Sequence, residues 1–276
     1  MTRLILSVLL ICFAQALPAQ ERTPSHCIAV ADVPGVSYVH QARFAQPLPD
    51  ETVRLSYVDH ATFLIETAGG LSVATDYTGF LGVVDFVPDV VTMNHAHDSH
   101  WTAFPDPRIP NVLKGWGEGD GSPANHRLDL GEMLIRSVST DIRSRFGTGV
   151  EENGNSIFVF EISGLCIGHL GHLHHEPSAE QYAALGRLDV VMAPVDGGLT
   201  LPRPTLIKML QRLRSSIVIP MHWFGRSNLD LFVEEMRAEF EVVPVGASFL
   251  EVSLQRLPGR PTLMILEPEY LRLDDP

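Results

Sequence analysis

Short apolar stretches separated by polar turns begin near residue 52, and their period of two predicts β-strands. Residues 53–58 alternate between apolar and polar side chains, and residues 61–67 and 71–75 extend the pattern on either side of a Gly69-Gly70 turn. These three segments predict a β-meander. Further strands are predicted over residues 89–93, 133–138, 156–162 and 165–169.

Helical signals appear only in the second half of the chain. Ser178 and Gln181 form a capping box, which predicts a helix through about Leu185. Two more helices are predicted over residues 204–213, where proline occupies the first turn, and 228–239. The intervening and closing strands are predicted over residues 189–193, 216–220, 249–254 and 262–266. Strands followed by alternating strands and helices predict an α/β fold of two packed mixed sheets with helices on their outer faces.

The first 19 residues have the character of a secretory signal peptide. One arginine precedes an apolar run of about eleven residues, and small residues follow it. The run is shorter than the ~20 residues of a membrane-spanning helix, and no later segment reaches that length. Cleavage after Ala19, or alternatively after Ala16, would deliver a periplasmic or secreted protein with no integral membrane segment. An uncleaved anchor remains the alternative.

Composition narrows the function classes. The chain has 276 residues with 45% hydrophobic side chains, and we expect an N-terminal arm over residues 20–50 and one domain over residues 51–276. Lys and Arg number 20 against 33 Asp and Glu, a net charge of −13 that argues against a nucleic-acid partner. Removal of the signal peptide leaves Cys27 and Cys166, which form either one disulfide or two buried thiols.

Three groups of histidines each follow a predicted strand, among 12 histidines in the whole chain. The first group is His95, His97 and His100, the second lies within residues 168–175, and the third is His222. Neutral imidazole is a preferred ligand of borderline ions such as Zn²⁺. Since loops at strand ends can turn these side chains toward one point, the pattern predicts a metal site at one edge of the sheets.

The chain resembles the metallo-β-lactamase superfamily, and within it the branch of ascorbate-6-phosphate lactonase-like and N-acyl-phosphatidylethanolamine-phospholipase-like metal hydrolases. The resemblance rests on residues 59–65 (DHATFLI), Thr75-Asp76, residues 95–100 (HAHDSH), residues 168–172 (GHLGH) and residues 220–222 (PMH). It implies an αβ/βα sandwich, a zinc site of one or two ions with iron or manganese as alternatives, and hydrolysis of a small-molecule substrate.

The ligand signature departs from the family pattern at three places. Ser99 stands where the signature has a metal-binding aspartate, and His172 replaces the bridging aspartate. The third histidine of the first metal is absent, and Asp141 is the nearest substitute. The implied ligand set is His95, His97 and Asp141 for a first metal, His100 and His222 for a second, and His172 for one of the two. A site with a single metal is the rival arrangement.

Two functions remain open from the sequence. An exported metal-dependent hydrolase would attack an ester, lactone, amide or phosphodiester bond, with Asp98 orienting the water or taking its proton. His60 and Asp76 are expected to support the ligands. Because Ser99 and His172 replace family carboxylates, the alternative is a non-catalytic metal- or ligand-binding pseudoenzyme of the same fold. The sequence has no Gly-x-Ser-x-Gly elbow and no P-loop, which argues against serine-hydrolase and nucleotide chemistry.

Overall fold

The computed structural model describes residues 25–29, 46–94, 98–117, 121–144 and 149–272. The predicted signal peptide over residues 1–19 lies outside these ranges and stays a prediction. The described strands, in chain order, are β1 (Val53–Asp59), β2 (Thr62–Thr67), β3 (Ser72–Ala74), β4 (Gly82–Val83), β5 (Val90–Met93), β6 (Asn111–Lys114), β7 (Arg127–Asp129), β8 (Met133–Arg143), β9 (Val150–Ile162), β10 (Leu165–His169), β11 (Val190–Pro194), β12 (Ile217–Met221), β13 (Glu241–Pro244), β14 (Phe249–Val252), β15 (Thr262–Ile265) and β16 (Leu271–Arg272). The described helices are α1 (His26–Ala29), α2 (Ala179–Leu185), α3 (Arg203–Leu213) and α4 (Arg226–Met236), with a 3₁₀ turn at Leu254–Arg256. None of these helices combines the length and apolar character that crossing a bilayer requires.

The strands form two large sheets and one small pair. The first sheet has six strands in the order β14-β1-β2-β3-β5-β6, and the second has eight in the order β13-β15-β12-β11-β10-β9-β8-β7. Strands β3, β5 and β6 run parallel, as do β10, β11, β12, β15 and β13. The carboxyl ends of the parallel strands within each sheet therefore meet at one edge, where loops can bring side chains together.

The main core lies between the two large sheets. Leu55 and Phe63 of the first sheet and Phe158 and Met192 of the second belong to one fully buried cluster. A second cluster packs helices α2, α3 and α4 against the other face of the second sheet. The predicted α/β fold of mixed sheets with outer helices is confirmed. On the outer face of the first sheet, loop residues such as Tyr77 and Ile109 complete a third cluster.

The element boundaries differ from prediction mainly where strands are polar. Strand β9 begins six residues before the predicted start at residue 156, because its polar first half pairs along the extended strand β8. Strands β6, β7 and β13 carry too few buried side chains to give a sequence signal. Helix α2 starts as predicted, and both hydrogen bonds of the Ser178–Gln181 capping box are present. Helix α4 begins at Arg226 and ends at Met236, earlier than the predicted residues 228–239.

Cys27 and Cys166 form a disulfide, which resolves the alternative that the sequence left open. It joins α1, a short helix within the region expected to be an extended arm, to strand β10. Beside it, Glu161 accepts hydrogen bonds from the hydroxyl of Ser25 (2.5 Å) and from Arg136 Nε (2.8 Å). The segment from residue 25 to 29 is thereby tied to the second sheet by the disulfide and by a buried hydrogen bond from Ser25 to Glu161, whose charge Arg136 neutralises.

Candidate metal centre

Four histidines from different strand-end loops converge at one edge of the two sheets. His60 follows β1, His100 lies in the loop after β5, His172 follows β10, and His222 follows β12 directly. The ring centroids are 3.9 Å apart for His60 and His222, 4.6 Å for His100 and His172, and 4.8 Å for His172 and His222. The ligand atoms of His60, His100 and His222 all lie within 4.8 Å of one another. His100 and His222 are fully buried, which is unusual for imidazoles without a specific role.

Two buried carboxylates fix the orientation of two of these rings. His100 Nδ1 lies 2.6 Å from Asp76 Oδ2, and His222 Nδ1 lies 2.9 Å from Asp196 Oδ2. A carboxylate only accepts hydrogen bonds. The ring nitrogen that faces it, Nδ1 in both histidines, is therefore the one that carries the proton. Each Nε2 therefore carries a lone pair that is available to a cation.

The Nε2 atoms of His100 and His222 face each other at 3.0 Å, and His172 Nδ1 lies 2.8 Å from His100 Nε2. Two lone pairs at this distance repel unless a proton or a metal ion lies between them. Two nitrogen ligands of a tetrahedral Zn²⁺, at 2.0–2.1 Å each, would be roughly 3.3 Å apart, close to the observed separations. The donor set and its supporting carboxylates thus fit a divalent metal ion.

Asp76 is part of a buried network that reaches the second sheet. Its Oδ1 accepts a hydrogen bond from Asn94 Nδ2 at 2.8 Å, and Asn94 Oδ1 accepts one from the backbone N–H of Ser156 at 2.8 Å. Asp76 follows β3, Asn94 follows β5, and Ser156 lies on β9. The network therefore connects the carboxylate that orients His100 to strands of both large sheets.

The groups around Asp196 stabilise the ionised form of its side chain. Burial alone would raise the pKa of this group, but hydrogen bonds from His222 and from the backbone N–H groups of Gly198 and Thr200 keep the pKa well below its usual range. A permanently charged acceptor holds the proton of His222 on Nδ1. This arrangement is the carboxylate–histidine pairing that commonly orients metal ligands.

Three site residues have left-handed backbone conformations, which residues other than glycine seldom adopt. The φ angles are +41° for His60, +41° for Asp76 and +60° for His222. The backbone N–H of His222 donates to the carbonyl of His60 at 2.7 Å, and the hydroxyl of Tyr57 donates to the same oxygen at 2.7 Å. Left-handed conformations concentrated at one cluster indicate a site whose side-chain placement is under functional constraint.

His169, the last residue of β10, is a histidine that is unsuited to bind metal. His169 Nε2 lies 2.8 Å from the carbonyl oxygen of Ala61, and its Nδ1 accepts the N–H of Gly171 at 3.2 Å. Burial lowers the pKa of His169, which keeps the ring neutral between these two backbone groups. At Gly171, φ is +59° and a Cβ would collide with the amides of Asn94 and Asn155. The glycine therefore allows the loop after β10 to pack against the network of Asn94.

The structure brings together only part of the predicted ligand set. His100, His172 and His222 converge, whereas His95 and His97 lie outside the described residues. The carboxylate of Asp141 accepts the N–H of Asn153 at 2.9 Å, and in the described ranges it does not join the histidine cluster. Asp98, the predicted catalytic residue, is exposed. All of these roles remain predictions.

His60 lies closer to the other rings than the sequence led us to expect. We predicted a supporting role, but its ring lies 3.9 Å from that of His222, tilted by 42°, and its ligand atom belongs to the same group as those of His100 and His222. The sequence signals were its position directly after a strand, in the turn between β1 and β2, and its place in the family-like residues 59–65. A lone histidine in such a turn has no spacing pattern that would mark it as a ligand.

We expect Asp196→Asn to weaken metal binding about 10- to 100-fold. The amide nitrogen of asparagine can donate to His222 Nδ1, which would shift the ring proton to Nε2 and remove the lone pair. Affinity would be measured by competition with a chromogenic chelator on protein whose unfolding transition matches that of the wild type. Asp85→Asn, at an exposed carboxylate, is the matched control. Equal affinities of the two variants would contradict the assigned role of Asp196.

Comparison with known proteins identifies the family. The family model described as the beta-lactamase superfamily domain matches residues 54–222, more than half of the chain. A UPF0173 protein of Pyrococcus furiosus is 22% identical over 208 residues, covering 68% of this chain and 91% of the relative. A candidate Zn-dependent hydrolase of the metallo-β-lactamase superfamily from Thermotoga maritima has 24% identity and a TM-score of 0.55, covering 78% of this chain and all of that one. The metallo hydrolase Igni18 of Ignicoccus hospitalis has 18% identity and a TM-score of 0.50, covering 68% and 91% of the two chains. At these identities the solved structures establish the shared fold, and the family match shows that the chain belongs to the beta-lactamase superfamily.

Proposed function

We propose that this protein is an exported metal-dependent hydrolase that cleaves an ester, lactone, amide or phosphodiester bond of a small-molecule substrate. The observation that carries the proposal is the pair of Nε2 atoms of His100 and His222, 3.0 Å apart on rings whose Nδ1 atoms each face a buried carboxylate. Such a pair is stabilised by a shared cation. Relatives with the same fold that are named as metal-dependent hydrolases support the same conclusion.

Zinc is the first candidate because imidazole suits a borderline ion, with iron or manganese as alternatives. His100, His172 and His222 would hold it, with His60 within reach, and His95 and His97 are proposed to complete a site of one or two ions. When bound, such an ion supplies Lewis acidity and an activated water molecule at neutral pH.

The chain's own residues would orient the ligands and admit the substrate. Asp76 and Asp196 keep the proton of each partner imidazole on Nδ1. The ring of Phe224, which is 62% exposed, lies 5.0 Å from that of His60 and 5.4 Å from that of His222. The buried cluster is therefore directly beneath an exposed aromatic side chain, where a substrate can approach. Asp98 is exposed on the turn that leads to His100 and stays our candidate for orienting the water or taking its proton.

Export to the periplasm or the outside of the cell is supported by the disulfide. Cys27 and Cys166 are bonded to each other, and stable disulfides form mainly in oxidising compartments. The apolar run within residues 1–19 is the matching sequence signal. Export and substrate class are the parts of the proposal that need direct measurement.

The test is metal content combined with hydrolysis, on full-length protein expressed and purified without an affinity tag. We expect one or two equivalents of zinc, iron or manganese by elemental mass spectrometry. A panel of a p-nitrophenyl ester, a lactone, a β-lactam and a bis-aryl phosphodiester should reveal turnover that is lost with chelator and restored with metal. The Asp98→Asn variant should keep its metal and lose about 10²-fold in rate, as expected for a general acid–base residue.

The outcomes separate the two functions that the sequence left open. Metal binding without turnover on any of the four substrates, at rates above buffer, would favour the non-catalytic binding protein. Absence of metal even after reconstitution would overturn the metal site itself. Full activity in the Asp98→Asn variant would leave the hydrolase intact and remove Asp98 from its proposed role.

A further inference from the structure

A cavity of about 480 Å³ lies at the end of the sandwich opposite the histidine cluster. Its wall includes Ile217, Glu241 and Thr262, which are register partners at the amino ends of β12, β13 and β15. His222 follows the carboxyl end of β12, so the strand rise of about 3.3 Å per residue separates it from Ile217 by roughly 16 Å. The cavity is therefore distinct from the candidate metal centre.

The cavity has an apolar wall contributed by both large sheets. Leu250 and Val252 come from β14, the edge strand of the first sheet, and Val243 and Met264 come from β13 and β15 of the second. Leu250, Val252 and Met264 are buried by the surrounding protein. The volume falls within the ~300–1,000 Å³ of small-molecule sites, which are mostly apolar with a few polar groups that fix orientation.

The charged groups of the cavity leave an excess of one positive charge. Glu251 is paired with the buried guanidinium of Arg54 at 2.8 Å. The remaining charged residues are Arg256 and Arg260, which are positive, and Glu241, which is negative. Within the part of the chain that the structure describes, neither arginine side chain forms an ion pair or hydrogen bond. Two cations beside an apolar wall are notable in a protein with a net charge of −13.

We propose that this cavity binds an amphipathic monoanion, a small molecule with a linear or compact apolar body and one carboxylate. The apolar body would lie against Leu250, Val252 and Met264, while Arg256 and Arg260 would receive the carboxylate. Guanidinium groups form charge-assisted and often bidentate hydrogen bonds to carboxylates, and burial of the apolar body adds to the binding free energy. The proposal rests on the cavity alone and is independent of the metal chemistry.

The test compares three probes with the same eight-carbon chain, namely octanoate, octan-1-ol and octylammonium. Each would be titrated by calorimetry into full-length protein as purified, and the position of the bound carboxylate would be checked separately so that capture by a metal ion is recognised. We expect octanoate to bind about tenfold more tightly than the alcohol, as one charge-assisted hydrogen bond implies, and octylammonium to bind more weakly than either. Equal affinity for the acid and the alcohol, or no binding of octanoate at millimolar concentration, would overturn the proposal.

The position of the bound probe is tested with methyl NMR signals and variants. Octanoate should shift the methyl resonance of Met264 and leave that of Met221, next to His222, unchanged. The Arg256→Gln/Arg260→Gln double variant should lose about tenfold in octanoate affinity while keeping its affinity for the alcohol. Arg237→Gln, at an exposed ion pair with Glu234, is the matched control and should bind octanoate like the wild type. A shift at Met221 instead of Met264, or undiminished affinity in the double variant, would place the site elsewhere.

Discussion

The His222→Ala variant is expected to lose metal affinity by about 10²- to 10³-fold, since binding free energies of ~10–16 kcal/mol are shared among about four ligands. His222 is fully buried, and its Nε2 lies within hydrogen-bond distance of His100 Nε2. Removing the imidazole deletes one donor and leaves the carboxylate of Asp196 facing a cavity. Elemental mass spectrometry after gel filtration would show metal near the background level, and chelator competition would give the affinity.

His175→Ala is the matched control for this result. His175 lies in the same histidine-rich loop as His172, but its side chain is exposed. The control variant should retain the metal content of the wild type. Thermal unfolding of both variants after chelator treatment separates loss of metal from loss of fold, because the metal-free proteins can then be compared directly. Full metal occupancy in His222→Ala, with an intact fold, would remove His222 from the ligand set.

Local sequence patterns were sufficient to predict most of the fold. Strands β1, β2 and β10 are nearly fully buried, so their apolar residues form continuous or alternating runs that stand out from the turns. Helix α2 was predictable because a capping box is a local interaction whose two residues are three positions apart. Strands β7 and β13 are short and have no buried side chain, so their sequences lack the apolar pattern that would predict them.

The candidate site was predictable as a location more than as a set of contacts. Each histidine group follows a strand, which predicted that His100, His172 and His222 would meet at one edge. Which carboxylate meets which ring depends on sheet order: Asp76 and His100 follow β3 and β5, which are parallel neighbours in the first sheet. The family resemblance pointed to Asp141 by its position in the chain. Its carboxylate accepts the backbone N–H of Asn153 in the facing strand, and its role as a ligand stays a prediction.

Replacing Arg136 with methionine is expected to lower the free energy of unfolding by about 3–5 kcal/mol at pH 7, the cost of leaving a buried charge without its partner. Arg136 Nε donates to Glu161 Oε1 at 2.8 Å, and its two Nη atoms donate to the carbonyls of Ala184 and Leu185 at 2.6 Å each. The guanidinium therefore neutralises a buried carboxylate and caps the carboxyl end of helix α2. Both side chains are buried, so solvent screens the pair only weakly.

The pH dependence of this destabilisation follows from the pKa of Glu161. Burial alone would raise that pKa, but hydrogen bonds from Ser25 and Arg136 outweigh burial and hold it below its usual value. In the wild type, the ion pair therefore contributes stability above the unfolded pKa of about 4.3, and this contribution is lost as the pH falls through the lower folded value. Without Arg136, burial dominates and raises the pKa, so the folded variant takes up a proton more readily than the unfolded chain. The stability difference between the two proteins should be largest at neutral pH and should shrink toward pH 4.

Urea unfolding at several pH values would measure this difference, and two further variants make the result specific. Arg237→Met removes an arginine whose ion pair with Glu234 is exposed, so it should change stability by less than ~1 kcal/mol at every pH. The Arg136→Met/Glu161→Met double variant removes both charges, and we expect it to be more stable than Arg136→Met alone because no uncompensated carboxylate remains. A double variant no more stable than Arg136→Met, together with a stability loss in Arg136→Met that does not vary with pH, would mean that the loss arises from the freed carbonyls at the end of α2. In that case the buried ion pair would not be what anchors Glu161, and with it residues 25–29, to the second sheet.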